Sequence, residues 1–293
     1  MRGNRPKSWY IFVSIIGFTT FGTASIFVRL INMDALAIAT WRLIIGGLIL
    51  FILSYNSRLA EEKVDIAKVI LLGSILGFHF IFFVKSVQDT FILNATIIVN
   101  TAPILTLVLS AIFKLEKIDF IDVLTVILGV LGVIVIVGSI SITSQKIIGD
   151  IEAFLAALAL SVYAITGRRY LKQKIDAIKL SSVVFTIAGL ETLLIGVLLK
   201  VSFQPPTLSD VIYLLGLALI PTGIGHTVYL YSLKGLKAHE TQILALLEPI
   251  VATMLGVLIL LEIPSLNSII GSVLIAVSIL LIALKPKIIS EEA

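Results

Sequence analysis

Long apolar runs recur from one end of this sequence to the other, and they constrain its fold more than any other feature. A helix needs roughly 20 predominantly apolar residues to cross the hydrocarbon core of a bilayer. Hydrophobic residues fill 58% of the 293 positions and charged residues only 14%, whereas about a quarter of an ordinary soluble domain is charged. Outer-membrane barrels have short alternating segments instead of long runs. The pattern predicts an all-α polytopic membrane protein.

Charged or Pro/Gly-rich breaks divide the apolar runs into ten predicted transmembrane helices, which we call spans 1 to 10. The loops between them are short and leave no room for a soluble domain. The spans are predicted at residues 9–31, 35–55, 66–87, 91–113, 120–141, 149–170, 177–200, 209–233, 240–261 and 265–284.

The distribution of Lys and Arg residues predicts the orientation of these spans. With ten spans both termini lie on one side, and nearly all of the basic loop residues fall on that side. The other side holds Arg29, Lys85, Lys146 and Lys200. By the positive-inside rule we expect a multi-pass protein of the cell inner (cytoplasmic) membrane with both termini cytoplasmic. The net charge of +4 then reflects topology, and no nucleic acid partner is expected.

An internal repeat divides the chain into two halves. The segment 94–116 aligns without a gap with the segment 240–262, which places Pro103 on Pro249 and Glu116 on Glu262. The offset is half the chain, so each half contains five spans. Because five is odd, the second copy crosses the membrane in the opposite sense. We therefore predict two inverted five-helix repeats, at residues 9–141 and 149–284.

The two aligned prolines predict helix breaks near the middle of the membrane. Pro103 and Pro249 lack the amides that would bond the carbonyls of Val99 and Ala245. Free carbonyls inside a bilayer are tolerated only against protein or a water-filled cavity, and interrupted helices at matching positions of inverted halves point to a transporter's binding site. Glu248, beside Pro249, fits a hydrated cavity. Its alternative role is a hydrogen bond or packing contact between helices.

Other polar residues within the spans are candidates for the substrate path. Arg42, which follows Trp41 in span 2, could bind a substrate carboxylate. It could equally snorkel to the outer interface or pair with Glu191 in span 7. Asn100 and Thr23 could line a polar path, but side chains of this kind also bond the backbone of their own helix.

Two histidines occupy near-equivalent positions of the repeat. His79 and His226 could relay protons, because imidazole titrates near neutrality, or they could be packing residues. Pro221 loosens span 8 near His226, and Tyr229 lies one turn further on, so this region is a candidate cavity wall. Neither histidine has another His, Asp or Glu one turn away, and the chain has no cysteine. No metal site or cofactor is therefore predicted.

The segment LLEPIVATMLGVLILLE, followed by a last span that contains Gly271, resembles the signature of EamA-type carriers of the drug/metabolite transporter superfamily. The first half carries a weaker copy, APILTLVLSAIFKLE, and ATWRLIIGGLIL is similar to the family's arginine-bearing second helix. The resemblance covers essentially the whole chain. It implies a carrier of amino acids, other metabolites or toxic compounds, commonly outward. Ala102 stands where the second half has Glu248, so only one half carries the carboxylate.

These observations predict a secondary transporter that moves a small organic metabolite, such as an amino acid or a related or drug-like compound, by alternating access, as an efflux carrier. A passive facilitator or channel is the alternative, and an intramembrane enzyme is less favoured because no catalytic motif occurs. The expected partners are the small-molecule substrate and the lipid bilayer. The sequence does not decide whether the protein forms a homodimer. Spans 1 to 4 and 6 to 9 should surround the path, with spans 5 and 10 at the periphery.

Overall fold

The computed structural model describes residues 5–55, 65–137, 147–171, 175–260 and 266–285, and these ranges contain helices and no strand. A 3-10 helix, Thr19–Thr23, joins α1 to α2, and a π-helix, Ala218–His226, joins α10 to α11. The α-helices are α1 (Lys7–Phe18), α2 (Ala24–Leu30), α3 (Ala35–Leu53), α4 (Ile66–Asp89), α5 (Ile92–Val99), α6 (Ala102–Ile112), α7 (Phe120–Val137), α8 (Ile147–Leu171), α9 (Ala177–Leu198), α10 (Leu208–Leu217), α11 (Thr227–Ser232), α12 (Ala238–Ala245), α13 (Leu247–Leu260) and α14 (Leu266–Leu284).

Seven helical segments within the described residues are long and apolar enough to cross a membrane. They are Lys7–Leu30, Ala35–Leu53, Ile66–Asp89, Asn94–Ile112, Ile147–Leu171, Ala177–Leu198 and Leu208–Ser232. Shorter apolar helices cover Phe120–Ile136 and Ile269–Leu284. The protein is thus an all-helical, multi-pass membrane protein, as the sequence predicts. The total of ten spans and the inverted repeat stay predictions, because predicted spans 5, 9 and 10 border residues outside the described ranges.

Acidic and hydroxyl side chains fix where several helices begin. Asp34 accepts a hydrogen bond from the Leu36 amide at 2.8 Å, at the start of α3. Asp176 does the same for α9, at 3.0 Å from the Ile178 amide. Thr207 and Asp210 form a reciprocal capping box at the start of α10. Such caps bond backbone amides that have no partner within the helix. Local side chains therefore determine where these helices begin.

Both halves of the chain contain an interrupted helix at the position of the aligned prolines. The first break separates α5 from α6 at Asn100 and Thr101, and the second separates α12 from α13 at Leu246. Pro103 and Pro249 then occupy the first turn of α6 and α13, where the missing proline amide has no helical partner in any case. The predicted breaks are present, just before each proline.

Glycines bring pairs of helices into backbone contact. A Cβ atom added to Gly132 of α7 would lie 2.7 Å from the carbonyl oxygen of Gly271 in α14. A Cβ on Gly47 of α3 would similarly lie 2.9 Å from the amide nitrogen of Thr186 in α9. Small residues permit this close approach in membranes, where packing drives helix association. We call the contact between α7 and α14 the glycine seam.

Candidate functional site

A cavity with an empty volume of about 590 Å³ lies where the two interrupted helices meet the irregular segments. None of the described residues of α7, α14 or α9 lines it, so span 7 does not border this cavity, although the sequence predicts that spans 6 to 9 surround the path. Its lining is partly aromatic and partly polar, and comprises Phe21, Ala24, Arg42, His79, Phe80, Phe83, Val99, Asn100, Ala102, Pro103, Leu160, His226, Tyr229, Gln242, Ala245 and Glu248. Val99 and Ala245 are the residues whose carbonyls the two prolines leave without a helical partner.

Arg42 is held inside the protein by contacts from two other elements. Its side chain is only 1% exposed, its Nε donates a hydrogen bond to Thr222 Oγ1 at 2.8 Å, and its guanidinium lies 4.1 Å from the centre of the Phe80 ring. Nη1 has no hydrogen-bond partner among the described residues. A buried donor of this kind is costly unless a ligand or water binds it. The geometry therefore leaves one side of the guanidinium available to an anionic group.

These contacts bear on the alternative roles of Arg42. Glu191 accepts a hydrogen bond from Ser74 Oγ at 2.7 Å, and within the described residues no ion pair joins it to Arg42. The prediction that Arg42 pairs with Glu191 is therefore wrong, because Glu191 faces α4. The snorkelling alternative also fails, since the head group of Arg42 is buried against Thr222 and Phe80.

Glu248 lies across the same cavity in the first turn of α13. Unpaired amides and the helix macrodipole make this end of a helix favourable for a negative charge. Within the described residues, no ion pair joins Glu248 to Arg42. A guanidinium and a carboxyl group thus border one cavity without a direct ion pair between them.

The predicted histidine pair also lines the cavity. Nδ1 of His79 lies 3.0 Å from the carbonyl oxygen of Ala156, so one side of this ring is bound to α8. The ring centroid of His226 lies 6.0 Å from that of His79 and 4.7 Å from that of Phe80. Nδ1 of His226 has no hydrogen-bond partner among the described residues. No group of His, Asp or Glu residues in the described part of the chain has the arrangement of a metal site.

Tyr229 and Gln242 close one end of the cavity. The hydroxyl of Tyr229 and Oε1 of Gln242 are both buried, and neither has a partner by hydrogen-bond geometry in the described part of the chain. The rings of Tyr229 and Tyr163 are stacked at a centroid distance of 6.1 Å. This end offers a donor and an acceptor to a solute that reaches it.

The remaining candidates divide between the cavity and other contacts. Asn100 lines the cavity, with its side chain bonded to the Thr96 carbonyl at 2.9 Å. Trp41 and Thr23 do not line it. The indole of Trp41 donates to the carbonyl of Phe203 at 2.7 Å, and the Thr23 hydroxyl donates within its own helix, to the Thr20 carbonyl at 2.7 Å. The polar groups of both side chains are therefore hydrogen-bonded away from the cavity.

Several lining residues were not predicted from the sequence. In the sequence, Phe21, Phe80 and Phe83 do not differ from other apolar residues of a span. Gln242 has no local feature that distinguishes it within the aligned repeat. Thr222 holds Arg42 from the π-helix that contains Pro221, and also donates to the Leu217 carbonyl at 2.8 Å. The Pro221 irregularity was a usable signal for this segment.

Comparisons with known proteins agree with this architecture. The EamA-like transporter family model matches residues 8–138 and 147–284. The uncharacterized transporter YdfC of Bacillus subtilis (strain 168) is 30% identical over 248 residues, which cover 80% of this chain and 78% of YdfC. The uncharacterized transporter YxxF of the same organism is 26% identical over 260 residues, which cover 86% of this chain and 82% of YxxF.

A solved crystal structure of a protein superposes with a TM-score of 0.77, over 94% of this chain and 95% of that chain. At 18% identity, this likeness shows a shared fold alone. The family model, by contrast, matches both halves of the sequence and nearly all of its length. The chain therefore belongs to the EamA-like transporter family.

Proposed function

We propose that this protein is a secondary carrier that binds a small organic solute in the described cavity and moves it across the cytoplasmic membrane by alternating access. The observation that carries the proposal is the pair of Arg42 and Glu248, which border one partly aromatic cavity between two interrupted helices. A charged side chain inside the membrane costs free energy, so such residues usually have a function. Interrupted helices at matching positions of two halves are typical of transporter sites.

The chemistry of the lining favours a solute with a carboxylate. The open side of the Arg42 guanidinium suits a carboxylate, and Glu248 suits an ammonium group. A solute with only one charge leaves the other buried group unmatched, which costs binding free energy. Phe21, Phe80 and Phe83 provide apolar surface for the rest of the molecule. An amino acid with an apolar or aromatic side chain meets all three conditions.

The proposed topology has ten spans in two inverted repeats, both termini in the cytoplasm, and transport outward. The basic loop residues on one side support the orientation. The breaks at Asn100 and Leu246, at equivalent positions of the repeat, support the internal symmetry. Outward transport rests on the family resemblance, and exchange or uniport are its alternatives.

Counterflow into proteoliposomes tests the proposal. Vesicles are preloaded with an unlabelled amino acid, other carboxylates or organic cations, and uptake of labelled solute is followed in the wild type and in Glu248→Gln. We expect accumulation that depends on the preloaded amino acid and is lost in Glu248→Gln. A passive channel would show no accumulation against the gradient of labelled solute.

Glu191→Gln is the matched control, because it removes a membrane glutamate that lies outside the cavity. Its counterflow should stay close to the wild-type rate. If the two glutamine variants behave alike, Glu248 has no special part in binding. If no solute in the panel shows counterflow, the carrier proposal for these compounds is wrong.

A further inference from the structure

A second group of charged side chains lies away from the cavity, at the end of the molecule where the first and last described residues meet. Lys7, near the start of the chain, pairs at this end with Glu240 at 2.8 Å and donates to the Ile282 carbonyl near the end of the chain at 3.0 Å. We call this end the basic end. Its charged side chains and a buried histidine form the ionic cluster, which consists of Glu116, Asp122, Arg168, Lys237, Lys285 and His239.

Asp122 is the centre of the ionic cluster. Its carboxylate lies 2.7 Å from the Lys237 ammonium and 2.5 Å from the Lys285 ammonium. Nε2 of His239 is 3.1 Å from the same carboxylate. Asp122 is 1% exposed and His239 is fully buried. Because these groups are buried, water screens their interactions only weakly. Removing one partner would leave the other charge buried without compensation.

Every contact within the ionic cluster joins the two halves of the chain. Glu116 and Asp122 belong to the first half, whereas their partners come from the second. Arg168 pairs with Glu116 and also donates to the Leu233 carbonyl at 2.9 Å. The ionic cluster therefore resists any movement that separates the halves at the basic end.

The short helix α12 connects the ionic cluster to the cavity. Lys237 and His239 lie at the start of α12, whereas Gln242 and Ala245 of the same helix line the cavity. The helix ends at Ala245, three residues before Glu248. Eight helical residues behave as one rigid rod about 12 Å long. A movement of α12 that opens the cavity toward the basic end must therefore displace Lys237 and His239.

Aromatic side chains lie between the cavity and the basic end. Tyr229 packs between Tyr163 and Phe18, at centroid distances of 6.1 Å and 5.9 Å. All three side chains are almost fully buried. Closer to the basic end, the rings of Tyr10 and Tyr231 lie 5.3 Å apart. These rings fill part of the space between the cavity and the basic end.

The opposite end is held mainly by hydrogen bonds, such as that from the Asn32 amide to the buried carboxylate of Asp210 at 2.8 Å. There Lys85 pairs with Glu152 at 3.1 Å, but the Lys85 side chain is 47% exposed. Thr90 donates to Asp150 at 2.8 Å. Exposed ion pairs contribute little to stability, whereas losing one partner of a buried pair has a large effect. The two ends of the described structure are therefore held by different kinds of contact, with buried ion pairs between the halves at the basic end.

From this arrangement we infer that the ionic cluster is a latch that closes the cavity toward the basic end and must separate before solute can pass there. The inference rests on the proposed carrier function, since a latch has meaning only where the cavity opens to both sides in turn. Removing the latch shifts the population of the protein toward the state that is open at the basic end.

The absence of cysteine from the sequence allows a direct accessibility test in the full-length protein. Ala245→Cys places a thiol on the cavity wall, and a membrane-impermeant maleimide is applied to vesicles of known orientation. We expect Asp122→Asn to raise the labelling rate from the basic end by about tenfold, as the closed state loses population. Labelling from the opposite end should not rise. Lys237→Gln should change the rate in the same direction.

Two controls separate a latch from a general loss of structure. Asp65→Asn removes an exposed ion pair at the start of α4, between Asp65 and Lys68, and should leave the labelling rate unchanged. The double variant Asp122→Asn with Lys285→Gln removes a charge of each sign. It should still label fast, because the connection between the halves stays broken.

The labelling rates decide the question without any transport assay. Wild-type rates in both Asp122→Asn and Lys237→Gln overturn the latch. A wild-type rate in the double variant also overturns it, because the single effect would then come from unmatched charge. Failure of the counterflow panel with fast labelling of Asp122→Asn would leave the latch in place and refute only the proposed substrates.

Discussion

The guanidinium of Arg42 contacts two kinds of neighbour and leaves one nitrogen without a partner among the described residues. Nε bonds a hydroxyl, the plane of the group covers the Phe80 ring, and Nη1 remains without a partner among the described residues. A lysine would supply the same charge, but it has neither a flat face nor a fork of donors. The functional property of Arg42 is therefore its geometry as well as its charge.

This distinction predicts the behaviour of Arg42→Lys. We expect counterflow of carboxylate solutes to fall by about tenfold or more, which corresponds to about 1.4 kcal/mol of lost binding free energy. The measurement is the initial rate as a function of solute concentration. Arg29→Lys, at the exposed end of α2, is the matched control and should transport normally. Equal rates in both variants would contradict the proposed contact between Arg42 and a carboxylate.

A second prediction concerns Asp119, which lies just before α7. Burial alone would raise the pKa of this carboxyl, but hydrogen bonds from Lys285 and from the Asp122 amide hold it below its ordinary value. A lowered folded-state pKa stabilises the protein above the unfolded-state pKa, and this stability is lost as the pH falls through the folded-state pKa. Asp119→Asn should therefore reduce the thermal stability near neutral pH and lose less stability than the wild type on acidification. If the melting temperatures of Asp119→Asn and the wild type differed by the same amount at every pH, this prediction would be wrong.

The sequence predicts some site residues better than others, for a physical reason. Arg42 and Glu248 stand out because a charge in an apolar run is expensive, and the structure brings both to the cavity. Thr23 and Gln242 are ordinary polar residues in a helix, and nothing local distinguishes them. Thr23 bonds its own helix, whereas Gln242 faces the cavity. Only the packing of other helices decides between these outcomes.

At the scale of elements, the sequence predicts the helix breaks and misses some of the irregular helices. A proline cannot donate a hydrogen bond to the preceding turn, so it is favoured in the first turn of a helix. The breaks before Pro103 and Pro249 follow from this local chemistry. The 3-10 helix Thr19–Thr23 contains no proline. Its hydroxyls bond carbonyls of their own chain, as Thr20 does to Gly17 at 2.6 Å, and the sequence alone did not reveal this conformation.

The glycine seam gives a prediction about helix packing. Gly132→Ala would bring a methyl group to 2.7 Å from the Gly271 carbonyl oxygen, and backbone cannot move aside easily. We expect the variant to lose about 1 to 3 kcal/mol of stability, measured by thermal unfolding in detergent. At Gly77 of α4 the same atom would lie 3.6 Å from its nearest neighbour, so Gly77→Ala should be tolerated. Equal melting temperatures for both variants would show that α7 and α14 have room for a methyl group at Gly132.

At the scale of the whole molecule, the hydropathy of the sequence predicts a multi-pass helical protein because apolar length is a local property. It does not predict how the helices are arranged, since apolar faces in a bilayer have little preference among apolar neighbours. Asp122, for example, lies in the first turn of α7, and its local sequence does not indicate which residues it contacts. Its partners come from distant parts of the chain, so only the assembled fold reveals the ionic cluster.

Two matched lysines test the predicted orientation of the whole chain. Lys114 follows α6 and Lys200 follows α9, and both have left-handed backbone, with φ of 51° and 58°. The ten-span topology places Lys114 in the cytoplasm and Lys200 outside. In intact cells an impermeant maleimide should label Lys200→Cys, but Lys114→Cys only after permeabilisation. Labelling of both from outside would refute the topology.

The glycine seam also has an evolutionary consequence. The helices that form it contribute no described residue to the cavity, so the requirements on α7 and α14 differ from those on the helices that contact solute. Mutations can then alter the cavity while the seam continues to hold the two halves together. Lineages that share this scaffold are free to diverge in what they carry, since new selectivity does not require a new way of folding.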